Sequence, residues 1–536
     1  MNRARVPGGL PRREVVLSGL VAVVVAGLVF ARYGINGDMS RDEGIYAYAG
    51  QQLARGVAPY ASIFDPKGPV AAVIAGVAAW VGGLLGLTDF YLIRVAFFAC
   101  ALASVAAMHL LATRLWHSWL AGLTAALALV AIPAFAMDAL PGPDAKTPGV
   151  ALVLLAMLFL VERRWFGAGV LASLAVLTWQ PWFVYALVAV LLAACRSAAG
   201  ERLQAVARVV AGGLLPLVLT VIGFAAAGAL GDLYAATLDY PLTGVQRQPE
   251  TFAEHVGLIA QVVADYGGGS FFWTGVVLLL VAVVVDVVRH PGRSALGRPL
   301  VAVVLLTGIG EFGYALVDFQ GYPDLYALLP YAALGFGGLV GLVTQLLRPR
   351  LEAGPVRLAM SAVLVVALLA TSWLSWERAA QDPLRGALVA ERSDACGLSR
   401  IVVPGTPLWS LGDPMPLVLT HRTNPEPFVY LSAGVDQWKV DHTRGGLRGW
   451  VAQIRRSHPS VIVFQTFRGP IHDQLAAMLA HAAFRTRFLG QWQLFVDREA
   501  IVRARTVRVR LTRQPTEVAT GRHGRPLPAF GCGTAR

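Results

Sequence analysis

Apolar runs recur along most of this chain, near 14–33, 69–87, 90–113, 119–138, 148–161, 166–179, 182–195, 209–230, 271–288, 299–317, 323–346 and 357–374. Runs of about 20 apolar residues match the hydrocarbon thickness of a bilayer, where a helix satisfies its own backbone hydrogen bonds. The expected fold class is therefore an all-α polytopic membrane bundle. Composition agrees, since only 14% of the residues are charged, against about 25% in a soluble globule. The first run follows "RARVPGGLPRR" and has no small-residue cleavage site behind it. It reads as an uncleaved helix and not as a secretory signal.

A net charge of +13 does not imply nucleic acid here, because no basic, aromatic-studded soluble face is evident. The arginines gather instead in short links: Arg3 to Arg13, Arg114, Arg163 with Arg164, Arg196 to Arg208, Arg289 to Arg298, and Arg348 to Arg357. Such links belong on the cytoplasmic side. All of them share that side if one run before Arg114 does not span. The Ala/Gly-rich run 69–87, two residues from the next, is the expected exception, lying along or dipping into the outer interface. That leaves about eleven spans, with twelve as the alternative. It places the multi-pass chain in the plasma membrane, N-terminus cytoplasmic and C-terminal domain extracytoplasmic.

The pattern changes after Ser375. Residues 1–376 form the membrane domain, and 377–500 read as a small α/β domain of two or three layers. Its expected strands are "RIVVP", "PLWSL", "SVIVFQT" and a hairpin through "RTRFLGQWQLFVD"; its helices are "GLRGWVAQIRRS" and "HDQLAAMLAHAAF". A basic tail, 501–536, alternates arginine with apolar or small residues, as a strand, a segment on anionic lipid, or a solvated tail would. Cys396 and Cys532 both fall outside the membrane, where a disulfide is permitted. Four cysteines are too few for a metal cluster.

The first outer loop concentrates the polar chemistry. "SRDEGIYAYAGQQLARG" reads as a helix capped by Ser40, with Glu43 reaching back to the cap and Gly56 ending it. Ile45, Tyr48, Ala49 and Leu53 follow helical spacing, so it is expected to lie along the membrane surface. Asp42 is not needed for the cap and is free to point elsewhere. In "FDPKGP", Lys67 stands between two prolines, a compact positive charge suited to a phosphate.

These residues resemble the first extracytoplasmic loop of polyprenyl-phosphate-dependent glycosyltransferases of the GT-C fold, the group around protein O-mannosyltransferases and aminoarabinose transferases. That loop reads D-E-x-x-Y, Gly, Pro-Tyr, then D-x-K-P-P. Here the pattern is Asp42, Glu43, Tyr46, Gly56, Pro59, Tyr60, Asp65, Lys67 and Pro69, with Gly68 in place of the first proline after the lysine. Gln180, in "LTWQPW", stands where many members have a basic residue, and "GYPDLYALLP" lacks the usual histidine of its run.

The resemblance implies transfer of a sugar from a polyprenyl-phosphate donor to a glycan, lipid or protein acceptor hydroxyl at the outer face, with inversion. It makes Asp42 the general base, with Glu43 helping it. Lys67 and Arg94 bind phosphate, while Tyr46, Tyr60, Asp65, Asp144 and Lys146 contact substrate. No metal ligands are implied, although carboxylates alone leave open whether a divalent ion joins. The 231–270 loop is long enough to be a mobile cover, from which Arg247 and His255 would reach inward. Glu311 is a minor intramembrane candidate. A transporter or lipid flippase shares the composition and the spans and is the competing reading.

Overall fold

The computed structural model describes residues 12–515, apart from 40, 140–141, 245–250, 293, 466, 468, 482–483 and most of 347–385. The run 357–374, Ser40, Arg247 and Cys532 thus lie largely or wholly outside the described residues. Among those described, five helices are long and apolar enough to cross a membrane: α1 (Arg12–Tyr33), Asp89–Trp116, Ala199–Ala226, Ser270–Arg289 and Leu329–Leu346. With six shorter apolar helices between them, they make a multi-pass membrane protein. Val70–Leu85, which covers most of the 69–87 run, has 16 residues. At ~1.5 Å per residue it is about 24 Å long, short of the ~30 Å hydrocarbon layer.

Small residues bring the helices close, as packing in lipid requires. Where Ser270–Arg289 crosses Leu329–Leu346, a Cβ on Gly335 would lie 1.7 Å from the Gly275 carbonyl oxygen. Asp89–Trp116 runs through the middle of the body, against α1, Trp119–Ala131 and Lys146–Val161.

The C-terminal domain is a three-layer α/β sandwich. Its four strands, β1 (Leu408–Leu411), β2 (Val461–Phe464), β3 (Arg485–Leu489) and β4 (Trp492–Val496), stand in the order β1-β2-β4-β3. β1 and β2 are parallel, with Leu408 opposite Val461, and the other pairs are antiparallel. The parallel pair β1 and β2 is buried throughout, as a sheet covered on two faces must be. Ala387–Ile401 and Arg498–Thr506 cover one face, and Gly446–Arg456 and His472–Ala480 the other. Cys396 is disulfide-bonded, whereas Cys100 and Cys195 are free thiols.

Four expectations change. "RIVVP" is not a strand: the helix Ala387–Ile401 runs into it, because Leu388, Ala395, Leu398 and Ile401 are buried at helical spacing. The start of the basic tail is a helix, Arg498–Thr506, capped by Asp497 and burying Ala500 and Ala504 while Arg498 and Arg505 are exposed. The 231–270 loop is mostly helical where described, and His255 Nε2 sits 2.8 Å from the Ala315 carbonyl oxygen instead of reaching in toward Lys67. Finally, the helix Arg41–Ala54, α2, is buried on all faces from Glu43 to Gln52. It does not lie on lipid, because Val70–Leu85 packs along it and the C-terminal domain, through Met415–Thr420, covers the rest.

The two halves share cores. One cluster joins Ile45, Tyr46, Ala71 and Phe97 of the membrane body to Leu408, Val461 and Leu494 of the sheet. A second joins Tyr60, Phe64 and Tyr240 to Trp409, Trp450 and Phe464.

Candidate active site

α2 starts at Arg41 with Asp42 and Glu43 in its first turn, where the positive helix end favours carboxylates. Asp42 is half-buried and Glu43 buried. Consecutive side chains stand about 100° apart on a helix, so the two face different groups. Asp42 acts on Lys67 and Asp65. Glu43, with Asp38, acts on Arg94.

Lys67 is held by its own loop. The Lys67 amide points at Asp65 Oδ1, 3.4 Å away, and the Tyr60 hydroxyl donates to the Lys67 carbonyl at 2.8 Å. Tyr60 takes a left-handed φ of 68° to do so, a conformation costly for a bulky residue, and its ring stacks on Phe224. The turn 177–180 fastens the loop from the other side. Val70 donates to the Leu177 carbonyl at 3.1 Å, and Gln180 Nε2 donates to the Pro66 carbonyl at 2.5 Å. A Cβ at position 68 would lie 2.1 Å from the Leu177 oxygen. Glycine therefore replaces the proline of the resembling motif because the backbones touch.

The charges converge on one spot. Burial opposes the Lys67 ammonium, yet Tyr46, Asp144, Asp65 and Asp42 outweigh it and hold its pKa well above the ordinary lysine value. Burial raises Asp65 against the pull of Lys67. Tyr46, fully buried between Asp65 and Lys67, is kept well above the usual tyrosine value by its desolvation; its ring centroid lies 5.7 Å from Lys67 Nζ. Asp144 stands just before the helix Lys146–Val161 and accepts from the Lys146 amide at 2.7 Å. The Lys146 ammonium sits 2.5 Å from Asp324 Oδ1 and 4.6 Å from the centroid of Trp179. Among the described residues, no three His, Cys, Asp or Glu side chains converge as metal ligands.

Tyr46, Tyr60, Asp65 and Lys67 are thus in contact, Asp42 and Asp144 act electrostatically on Lys67, and Lys146 stands one step beyond. Arg94 stands apart from them. Its guanidinium donates to the carbonyls of Ile35, Gly37 and Asp38 at 2.9, 2.8 and 3.2 Å, fixing the link between α1 and α2. Glu311 is buried, with Oε1 lacking a hydrogen-bond partner among the described residues, beside the Tyr185–Tyr331 hydroxyl pair.

The cluster is held by a membrane bundle under a docked α/β domain, and two solved structures share the fold. The chain has the GT-C fold of ArnT. The apo crystal structure of ArnT from Cupriavidus metallidurans is similar with a TM-score of 0.59 and 15% identity, over 90% of this chain and 97% of that one. The structure of ArnT from the same organism bound to undecaprenyl phosphate gives 0.59 and 14%, over 91% and 98%. No protein-family model and no curated protein matches the sequence.

Sequence reading missed three contributors. Asp324 and Trp179 lie in the two segments noted for departing from the family pattern, which was the available signal. Tyr430 of the C-terminal domain, electrostatically coupled to Asp42 and Lys67, had none.

Proposed function

We propose that the protein is a membrane glycosyltransferase that moves a sugar from a polyprenyl-phosphate donor to an acceptor hydroxyl at the outer face of the membrane, with inversion. The observation that carries this reading is the electrostatic coupling of a half-buried carboxylate, Asp42, to a cation, Lys67, in the same loop region. Asp42 takes the acceptor proton as that oxygen bonds to the anomeric carbon from one face. The bond from the anomeric carbon to the phosphate oxygen breaks on the other, and the phosphate leaves with both electrons. Lys67 neutralises the charge that develops there. Asp144 and Asp65 keep Lys67 charged, and Tyr60, Gly68 and Gln180 keep it in place. Arg94 and Glu43 act from a distance, by fixing the start of α2. The ArnT structure with undecaprenyl phosphate supports a lipid-phosphate donor by likeness of fold. The site opens to the outside in this reading, so the plasma membrane holds the chain with its N-terminus cytoplasmic.

The test is transfer by purified protein in lipid offered labelled undecaprenyl-phosphate mannose or aminoarabinose. Asp42→Asn lowers turnover about 100- to 10,000-fold with the melting temperature unchanged. Full activity in that variant removes Asp42 as base. Movement of labelled lipid or solute across vesicles, without product, favours a carrier instead.

A further inference from the structure

The segment 424–433 of the C-terminal domain is fastened to the outer loops at four points. The Asn424 amide donates to the Tyr48 hydroxyl at 2.9 Å, and the Phe64 amide to the Pro427 carbonyl at 2.8 Å. Phe428 stacks on Phe64 with centroids 5.1 Å apart, and the Tyr240 hydroxyl donates to the Ala433 carbonyl at 2.5 Å. Within the segment, Val429 and Leu431 are fully buried and Tyr430 is half-buried. Val429 belongs to one of the cores shared by the two halves and Leu431 to the other, and between them the Tyr430 ring faces the start of α2 in the membrane body. There the Arg41 guanidinium lies 5.3 Å from its ring centroid. Asp42 and Lys67 both act on its hydroxyl, whose pKa burial raises to about 12, leaving it a hydrogen-bond donor at neutral pH.

Resting on the transferase reading above, we propose that Tyr430 is a substrate-contacting residue supplied by the C-terminal domain, its hydroxyl donating a hydrogen bond to the sugar being transferred. The reason is its position between two roles. Asp42 faces the acceptor oxygen and Lys67 the departing phosphate, and what lies between them in a displacement is the sugar. A group coupled to both therefore addresses the sugar and not the lipid.

The experiment compares the parent protein, Tyr430→Phe and Asp42→Asn in lipid. Each is measured for binding of undecaprenyl phosphate, for binding of undecaprenyl-phosphate mannose and aminoarabinose, and for transfer. Tyr430→Phe keeps the ring against Arg41, so its melting temperature and its affinity for the bare lipid phosphate are expected to match the parent. Affinity for the sugar-bearing donor that the parent transfers, and kcat/KM for it, are expected to fall about tenfold, the worth of one hydrogen bond of ~1.5 kcal/mol. If Asp42→Asn is inactive but Tyr430→Phe matches the parent with sugar-bearing donors, the role of Tyr430 is overturned and the transferase reading stands. Equal weakening for the bare lipid phosphate assigns Tyr430 to the phosphate and overturns the inference as well. Absence of transfer by the parent with either donor, together with equal binding of all three lipids, overturns both.

Discussion

Lys67 illustrates how a cation is kept charged in a desolvated place. Burial penalises its ammonium, and three carboxylates together with Tyr46 reverse the penalty; removing one of these carboxylates removes part of that compensation. The backbone around it is as constrained as the charge. Since a Cβ at position 68 would sit 2.1 Å from the Leu177 oxygen, Gly68→Ala must push the 66–70 loop away from the 177–180 turn. The expected outcome is a loss of about 1–3 kcal/mol of stability, as for overpacking elsewhere, read as a lower melting temperature. A drop in turnover should accompany it, with lipid-phosphate affinity reduced because Lys67 is displaced. An unchanged melting temperature would show that the turn yields without cost. Motif reading put Gly68 down as a departure from D-x-K-P-P; the approach of a segment more than 100 residues away explains it.

The elements meet at a seam rich in acids. Ala387–Ile401 docks on the α1–α2 link, where the Leu388 amide donates to the Asn36 carbonyl at 3.3 Å. Burial first, and then Asp38, Asp413 and Asp394, raise Glu391 to about 9, with Arg94 pulling the other way. A carboxyl whose folded pKa is raised contributes its stability fully below its unfolded pKa and loses it as pH rises through the folded value. The window for Glu391 therefore runs from about 4.5 to about 9. Glu391→Gln should match the parent in melting temperature near pH 4 and exceed it increasingly up to pH 9. A constant difference across that range would place the Glu391 carboxyl in water. At this scale the sequence was legible where patterns are local: β2, the β3–β4 hairpin and the helix Gly446–Arg456 fall where alternation and amphipathic spacing put them. α2 was found as a helix but given the wrong surroundings, because helical spacing identifies an apolar stripe without saying whether lipid or protein covers it.

For the whole molecule, the docked domain and the positive-inside distribution make one prediction together. In a background lacking Cys100 and Cys195, a cysteine placed at Val502, which is 55% exposed, should react with an impermeant thiol reagent on intact cells. One placed at Leu203, 83% exposed, should react only after permeabilisation. The reverse pattern would turn the site toward the cytosol and end the proposal of outer-face transfer. What the sequence determined alone was what depends on neighbours along the chain: the apolar runs, the change of character after Ser375, the acidic start of α2 and the Pro-fenced lysine. Its motif resemblance also anticipated the GT-C fold. Only the tertiary structure decided which polar groups share a space. It set Glu43 beside Arg94 and not with Asp42, gave Lys146 to Asp324, and brought Tyr430 to a lysine 363 positions earlier. Periodicity fixes the face a side chain takes on its own element, whereas long-range packing fixes which face of another element it meets.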